Sequence, residues 1–504
     1  MLLKIFKKKN VIIGVLFFMH FLKIQASPYF KMNDNCLKAQ TAIYELRISD
    51  ASKILTAEQI ANPENTAVIW LQEYALFITL FISENETDYN NRTKEWESYI
   101  NQLEKRSFND PWYRFILSDM YLHRGAVKLK MNALFSAGSD IKTANHLLKE
   151  NHKLYPAFLP DNKNKGLIQV LSSSIPKSYA WLGSWMGFES NLNEGIQQIE
   201  LYLKSPLNTG EHKWLKIETG FIYALLQHHY LKKTDAAWKT IEQYTADYNT
   251  NVLINYMRAT IASYAGKNDL LIDILSQRPH VKESLPFYYM DYMLGVAKLK
   301  KQEKDADYYL KIYTVKFKGK NYIKSAYRYL AWYNIINGDI NTANTYYSLC
   351  TKNGKNFQEE DKQAEKEALD PLRWAAPLLK CRLLFDGHYY KESLELLNTI
   401  NEEGLGHLKF KLELNYRKAR VYQETGNYVM ALLQFSKTIN LGKSETYYYA
   451  AYSSLQTGEI YELLNNKEQA KYYFEKAKND FPNNQEYRNS IEQKAKSGLH
   501  RLGY

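Results

Sequence analysis

Small and aromatic residues recur at fixed steps towards the end of this chain. Gly458, Tyr461, Ala470, Phe474, Ala477 and Pro482 follow one another at intervals of three, nine, four, three and five residues. Ala419, Tyr422, Ala431 and Phe435 repeat the first three intervals 39 residues earlier. Steps of three and four keep side chains on one face of a helix, and the nine-residue step spans a turn between two helices. The pattern predicts antiparallel helix pairs, with small residues where the two helices come closest and Tyr and Phe filling the gap to the next pair. Upstream, Leu330-Ala331, Gly338, Ala343, Tyr347 and Cys350 follow the same scheme, with Asn334 where an aromatic is expected and Tyr333 beside it. Leu294-Gly295 with Ala306 and Leu310 predicts another pair, and Cys381, Leu384, Tyr390, Ser393 and Leu397 a divergent one. The turns Lys232-Lys233-Thr234-Asp235 and Gly266-Lys267-Asn268-Asp269 separate further apolar helices.

These spacings resemble those of the tetratricopeptide repeat superfamily. The resemblance implies an all-α protein, a tetratricopeptide-like α-solenoid of helical hairpins, and arrays of this kind mostly bind other proteins rather than catalyse. The chain then divides into a signal peptide over 1–26, a divergent helical N-terminal domain over 27–206, a tetratricopeptide-like array over 207–484, and a C-terminal capping helix and tail over 485–504. The capping helix is expected to stop at Gly498. Residues 352–370, rich in Lys, Glu, Asp and Gln, read as an inserted loop leading into an exposed helix.

Between Gly166 and Ile196 the helical punctuation changes. Ser172-Ser173-Ser174-Ile175-Pro176-Lys177 precedes Trp181-Leu182-Gly183-Ser184-Trp185-Met186-Gly187-Phe188, and Glu194-Gly195-Ile196 follows. This segment is similar to the one joining helices in the eukaryotic inclusion-body clearance proteins, which are also extended tetratricopeptide proteins, and the similarity bears on architecture alone. Trp181, Trp185 and Phe188 admit two readings. One is an apolar protrusion touching a partner groove or, peripherally, a membrane interface. The other is a buried hairpin between domains, favoured because Ala180 and Leu182 leave no polar face.

The N-terminus changes the setting. Lys4, Lys7, Lys8 and Lys9 precede the apolar run Val11 to Leu22, and Ile24-Gln25-Ala26 offers a cleavage site, so residues 1–26 read as a secretory signal. No later segment is expected to be apolar enough to span a bilayer. Removing the signal takes away five lysines and lowers the formal charge from +12 to +7. With Lys and Glu interleaved along the helices, a nucleic-acid stripe is not expected. Cys36, Cys350 and Cys381 are too few for a disulfide framework; the repeat scheme could bring Cys350 and Cys381 close, with two buried thiols that never pair the favoured reading. Cys36 lacks the context of a lipid attachment site. The expected location is the periplasm or outer membrane of an exporting cell, not as a lipoprotein.

Candidate chemistry is sparse. His228 and His229 are consecutive and point to different sides of a helix, unlike a metal-binding pair four apart. Gly183-Ser184-Trp185-Met186-Gly187 lacks the order of a nucleophile elbow, and no phosphate-binding or dinucleotide fingerprint occurs. No catalytic residue, metal site or cofactor is expected. Superfamily members usually present ligands to the inner face formed by the first helix of each repeat. Projected onto this chain, that face selects Arg328, Trp332, Arg382, Tyr416, Arg420 and Gln423 for binding a protein or peptide partner, with guanidinium groups suited to acidic or C-terminal groups. The same residues also fit an ordinary solvated surface. The expected function is a non-catalytic exported interaction scaffold. A SusD-like carbohydrate-binding envelope protein is the alternative, weakened by the missing lipid-attachment cysteine. Partner identity and oligomeric state are not encoded in these patterns.

Overall fold

The computed structural model describes residues 29–106, 109–173, 191–206, 212–373 and 375–504. The signal segment 1–26 and the residues Trp181, Trp185 and Phe188 lie outside them. The described residues are all-helical, without strands, and form two compact units, residues 1–254 with 279–286 and residues 255–278 with 287–504.

The first unit begins with α1 (Asp34–Tyr44), α2 (Ile48–Ala61), α3 (Thr66–Ser83) and α4 (Glu86–Glu104). It continues with α5 (Pro111–Lys130), α6 (Leu134–Leu154), α7 (Asp161–Ser173), α8 (Leu192–Lys204), α9 (Lys216–His229) and α10 (Thr234–Tyr244). Pairs α1/α2, α5/α6, α7/α8 and α9/α10 pack as antiparallel hairpins. Asparagine side chains begin several of these helices: Asn33, Asn65 and Asn85 each accept from backbone N–H groups of the first turn, supplying partners those groups lack within the helix. Contrary to expectation, α3 is long and apolar enough to cross a membrane by length and composition. Its surface is instead covered by protein, and residues such as Trp70, Leu71, Glu73 and Leu80 are buried, as an apolar stretch on every side requires of a core helix.

The division between the units falls within α11 (Val252–Tyr264), which pairs with α12 (Asn268–Ser276). The second unit then runs through α13 (Tyr289–Lys300), α14 (Ala306–Lys316), α15 (Ile323–Ile336), α16 (Ile340–Lys352), α17 (Glu359–Leu369), α18 (Ala376–Asp386) and α19 (Tyr390–Thr399). It ends with α20 (Leu408–Glu424), α21 (Tyr428–Leu441), α22 (Tyr449–Leu463), α23 (Lys467–Asn479) and α24 (Arg488–Arg501). Hairpins α13/α14, α15/α16, α18/α19, α20/α21 and α22/α23 stack so that first helices α15, α18, α20 and α22 neighbour one another in a row closed by α24. Hairpin turns among the described residues place a residue at positive φ: Gln302, Gly338, His388, Gly426 and Asn465 here, and Leu46, Asn132 and Lys232 in the first unit. Only some are glycine, so the repeated turn geometry was not visible as a repeated residue.

Packing follows the repeat spacing where it was cleanest. Ala419, Ala431 and Phe435 are fully buried in one cluster, and Ala470, Phe474 and Ala477 in the next. The adjacent tyrosines of the second helices, Tyr308-Tyr309, Tyr346-Tyr347 and Tyr472-Tyr473, split between core and surface. Tyr347 is buried while Tyr308 and Tyr472 are exposed, because adjacent helix positions point about 100° apart. Tyr333, next to Asn334, donates its hydroxyl to the Lys304 carbonyl. All three cysteines are buried free thiols. Two elements depart from the sequence reading. Gly498 lies inside α24, where a Cβ would sit 2.6 Å from the Phe474 ring, so its role is close approach, not termination. The inserted helix α17 is not simply exposed: Ala364 and Ala368 enter the α15/α16 core.

Candidate functional site

α17 shapes the start of the row of first helices. Its Asp361 accepts from the backbone N–H groups of Tyr322 (2.6 Å) and Ser325 (2.9 Å), capping α15 from outside the helix. Burial pushes the Asp361 carboxyl up to about 6 against those two donors. Glu365 receives the Lys324 ammonium at 2.7 Å. Two residues on, a single Glu367 oxygen accepts both Trp332 Nε1 (2.5 Å) and the Tyr347 hydroxyl (2.8 Å). One carboxylate therefore ties α17 to both helices of the hairpin beneath it.

Arg328 and Trp332 are four residues apart on α15 and share its face. The Arg328 guanidinium lies 5.0 Å from the Trp332 ring centre and 5.1 Å from that of Tyr329. Arg382, on α18, approaches the same indole at 4.6 Å. Two cations from neighbouring helices thus converge on one ring, an arrangement worth roughly 0.5–2 kcal/mol per contact as solvent is excluded. Arg328 is only 5 % exposed and Trp332 1 %. Burial works against the Arg328 charge, but Tyr329, Glu367 and Tyr292 outweigh it and hold the group protonated. No carboxylate among the described residues comes within ion-pair distance of Arg328, and its Nε has no acceptor.

Further along, Tyr416 of α20 packs edge-on to the partly buried Tyr448 and tilted against Tyr449, with which it is buried. Arg417 and Glu413 form a buried pair at 2.5 Å. Arg420 lies 5.5 Å from the Phe385 ring and gives Nη2 to Glu424 at 2.7 Å, while its Nε has no acceptor. The Gln423 side-chain oxygen is likewise without a donor. Tyr487, before α24, stacks edge-on to Tyr448, and Lys366 of α17 reaches its ring at 4.6 Å.

The residues selected from sequence therefore divide. Arg328, Trp332 and Tyr416 form a floor closed by the protein's own packing. Arg382 and Arg420, with side chains 26 % and 24 % exposed, lie over that floor with Gln423 beside them. Lys366, Glu367 and Tyr487 join the same region and were not selected, because their segments break the repeat spacing that guided the projection. His228 and His229 sit edge-to-face, with His228 Nδ1 3.0 Å from the Thr234 hydroxyl, and do not form a paired site.

No protein family matches the chain, and no curated protein does. Among solved structures, the complex of Naa15/Naa10 bound to HypK-THB is similar at 14% identity over 93% of this chain and 66% of that one, with a TM-score of 0.22. This chain thus spans just under two thirds of that structure's length, and figures at this level carry nothing about what this chain binds.

Proposed function

We propose that the chain is a non-catalytic exported scaffold that binds an acidic segment of a protein partner in the cell envelope, along the row formed by α15, α18, α20 and α22. The observation that carries this reading is the pair of arginines Arg382 and Arg420, with side chains about a quarter exposed and guanidinium groups each laid over an aromatic ring of the row. Each has a carboxylate contact within its own helix. Arg382 Nε is 3.5 Å from Asp386, and Arg420 uses one nitrogen on Glu424. Such exposed four-apart pairs contribute only about 0.3–0.5 kcal/mol, so an incoming carboxylate that offers two-point contact can displace them. The buried Arg328 adds positive field beneath. Export rests on residues 1–26, and the absence of catalysis on the lack of any nucleophile, base or cofactor motif.

Envelope proteins crosslinked in cells to the mature chain test this reading, with an Arg382→Glu/Arg420→Glu variant that keeps its circular dichroism run beside it. A protein captured by the parent and lost with the variant, with capture falling as salt rises, supports the groove. Capture that is equal in both, or absent from both, defeats it.

The carbohydrate-binding alternative has one observation in its favour. Tyr256, Tyr264 and Tyr289 line a cleft of about 140 Å³ with Thr260, Ser263 and Lys300. Tyrosine faces beside hydroxyls suit a sugar ring. Retardation of the protein on polysaccharide gels, abolished by Tyr264→Ala, is the outcome this alternative requires.

A further inference from the structure

The first unit encloses a group of charged side chains that the binding groove does not use. Glu73 of α3, Asp119 and His123 of α5 and Lys163 of α7 are buried, and Glu218 of α9 joins them with a side chain 18 % exposed. Buried charges persist only when they are paired, hydrogen-bonded or bound to a metal. Here the pairing is incomplete at one point.

Glu73 Oε1 accepts from Trp96 Nε1 at 2.8 Å, and its Oε2 lies 2.9 Å from His123 Nδ1. Burial pushes the Glu73 carboxyl upward; with Glu73 ionised, the proton of this contact is on Nδ1, and in the neutral ring Nε2 is a bare acceptor. That nitrogen is buried, has no hydrogen-bond partner, and faces Asp119 Oδ2 at 3.5 Å. Asp119 Oδ2 accepts from Trp70 Nε1 at 3.1 Å, and its remaining lone pair and the bare nitrogen, turned towards each other, leave a position for a cation. Lys163 does not fill that position, because its ammonium sits on the other side, 2.9 Å from Asp119 Oδ1 and 2.9 Å from Glu218 Oε1. Three carboxylates against one ammonium also leave the cluster short by two positive charges.

We propose that Asp119, His123 and Glu218 bind a divalent transition-metal ion, with Glu73 orienting the imidazole and Lys163 holding the carboxylate oxygens that do not coordinate. One donor atom from each of the three residues lies within 4.8 Å of the other two. Bonds of about 2.0–2.2 Å draw these donors inward by roughly an ångström. One imidazole nitrogen with two carboxylates suits zinc best among common ions, since magnesium prefers oxygen donors throughout. The hydrogen bond from the far ring nitrogen to a carboxylate is the support that metal-bound histidines normally carry. An approach exists as well. Tyr44, whose buried hydroxyl meets that of Tyr74 and feels the charges of Glu218, Lys163 and Asp119, lines a cleft of about 210 Å³ with Gln40, Trp214 and Asn251. The competing arrangement is an imidazolium at His123 with no metal. Burial opposes that charge while Glu73 and Asp119 favour it, and the net shift is upward.

The test is a calorimetric titration of the full chain, first stripped with a chelator, with Zn²⁺ at pH 7 and with Mg²⁺ in parallel. The expected result is one equivalent of Zn²⁺ bound with no matching Mg²⁺ uptake. Glu218→Gln, at the least buried ligand, should weaken binding at least tenfold while the circular dichroism is unchanged, and Glu73→Gln should weaken it 10- to 100-fold. A His228→Asn/His229→Asn variant should bind as the parent does, which separates this site from the neighbouring surface histidines. Should the ligand variants fail to fold, the visible spectrum of the Co²⁺-loaded parent decides: a tetrahedral nitrogen/oxygen spectrum supports the site and a hexa-aquo spectrum overturns it. Folded parent that takes up no Zn²⁺, or Glu218→Gln that binds it unchanged, also overturns it.

Discussion

Gly166 and Gly195 meet backbone to backbone. A Cβ on Gly166 would lie 2.4 Å from the Gly195 carbonyl oxygen, and one on Gly195 would lie 2.7 Å from the Gly166 carbonyl oxygen. Helices α7 and α8 therefore approach as closely as two chains without side chains allow, with Ile199 and Val170 closing the sides. Both glycines border the stretch that breaks the helical pattern of the sequence.

Gly166→Val forces α7 and α8 apart, because the obstructing atom is a backbone oxygen that cannot rotate away. The expected loss is about 1–3 kcal/mol, the usual cost of overpacking. Urea unfolding of the parent and variant measures it, and a change within 0.5 kcal/mol, typical of a neutral surface site, would contradict the close approach.

Phe474 is held between two glycines from different helices, Gly458 at 2.7 Å and Gly498 at 2.6 Å from Cβ to ring. Gly498→Ala should destabilise the second unit, and Phe474→Leu in the same chain should recover part of the loss by vacating the ring edge. A double-mutant cycle should give a coupling of about 0.5–3 kcal/mol. Additive effects would separate Gly498 from the ring.

Asp361→Ala removes the acceptor for two backbone donors at the start of α15. Leaving those groups unpaired should cost about 1–3 kcal/mol, and hydrogen exchange at Tyr322 and Ser325 should rise well ahead of exchange at Ala331. Equal protection in both proteins would assign the cap elsewhere.

Asp161 supplies the pH dependence. It is buried at the start of α7, and burial raises its carboxyl to about 7 even though Asn151 donates to both oxygens. The unfolded carboxyl ionises near 4, so between about 4 and 7 the folded state holds the extra proton. Stability contributed by this group is present below that window and is lost as pH rises through it. Asp161→Asn should flatten the profile over the window by up to about 1.4 kcal/mol per pH unit and leave the protein more stable than the parent above pH 7. Parallel profiles for the two proteins would show that the carboxyl titrates normally.

The hairpins α20/α21 and α22/α23 were legible because the residues that make them, Ala419 against Phe435 and Gly458 against Phe474, recur at spacings that only antiparallel helix pairs satisfy. The other first-helix candidates were placed less completely. Arg328 and Trp332 were picked by helical phase, but phase does not say that α17 covers them. The covering residues are two alanines and Glu367 in a strongly charged segment. The cluster around Asp119 was missed for a related reason. Asp119 and His123 are four apart, a spacing that brings them onto one helical face, yet Ser118, Asp119, His123 and Arg124 read together as the polar side of α5. Their burial comes from α3, α7 and α9, which are distant in sequence.

Arg382 stacked on Trp332 has a consequence for the speed and tightness of recognition. A free arginine on a helix surface samples many rotamers, and fixing it on binding costs about 0.5–1.5 kcal/mol. Here the indole already restrains the guanidinium, and that ordering was completed when the chain folded. In the binding mode proposed above, an acidic partner would meet a donor that is nearly stationary. Its affinity should respond more to the loss of the ring beneath than to lengthening or shortening the arginine's neighbours.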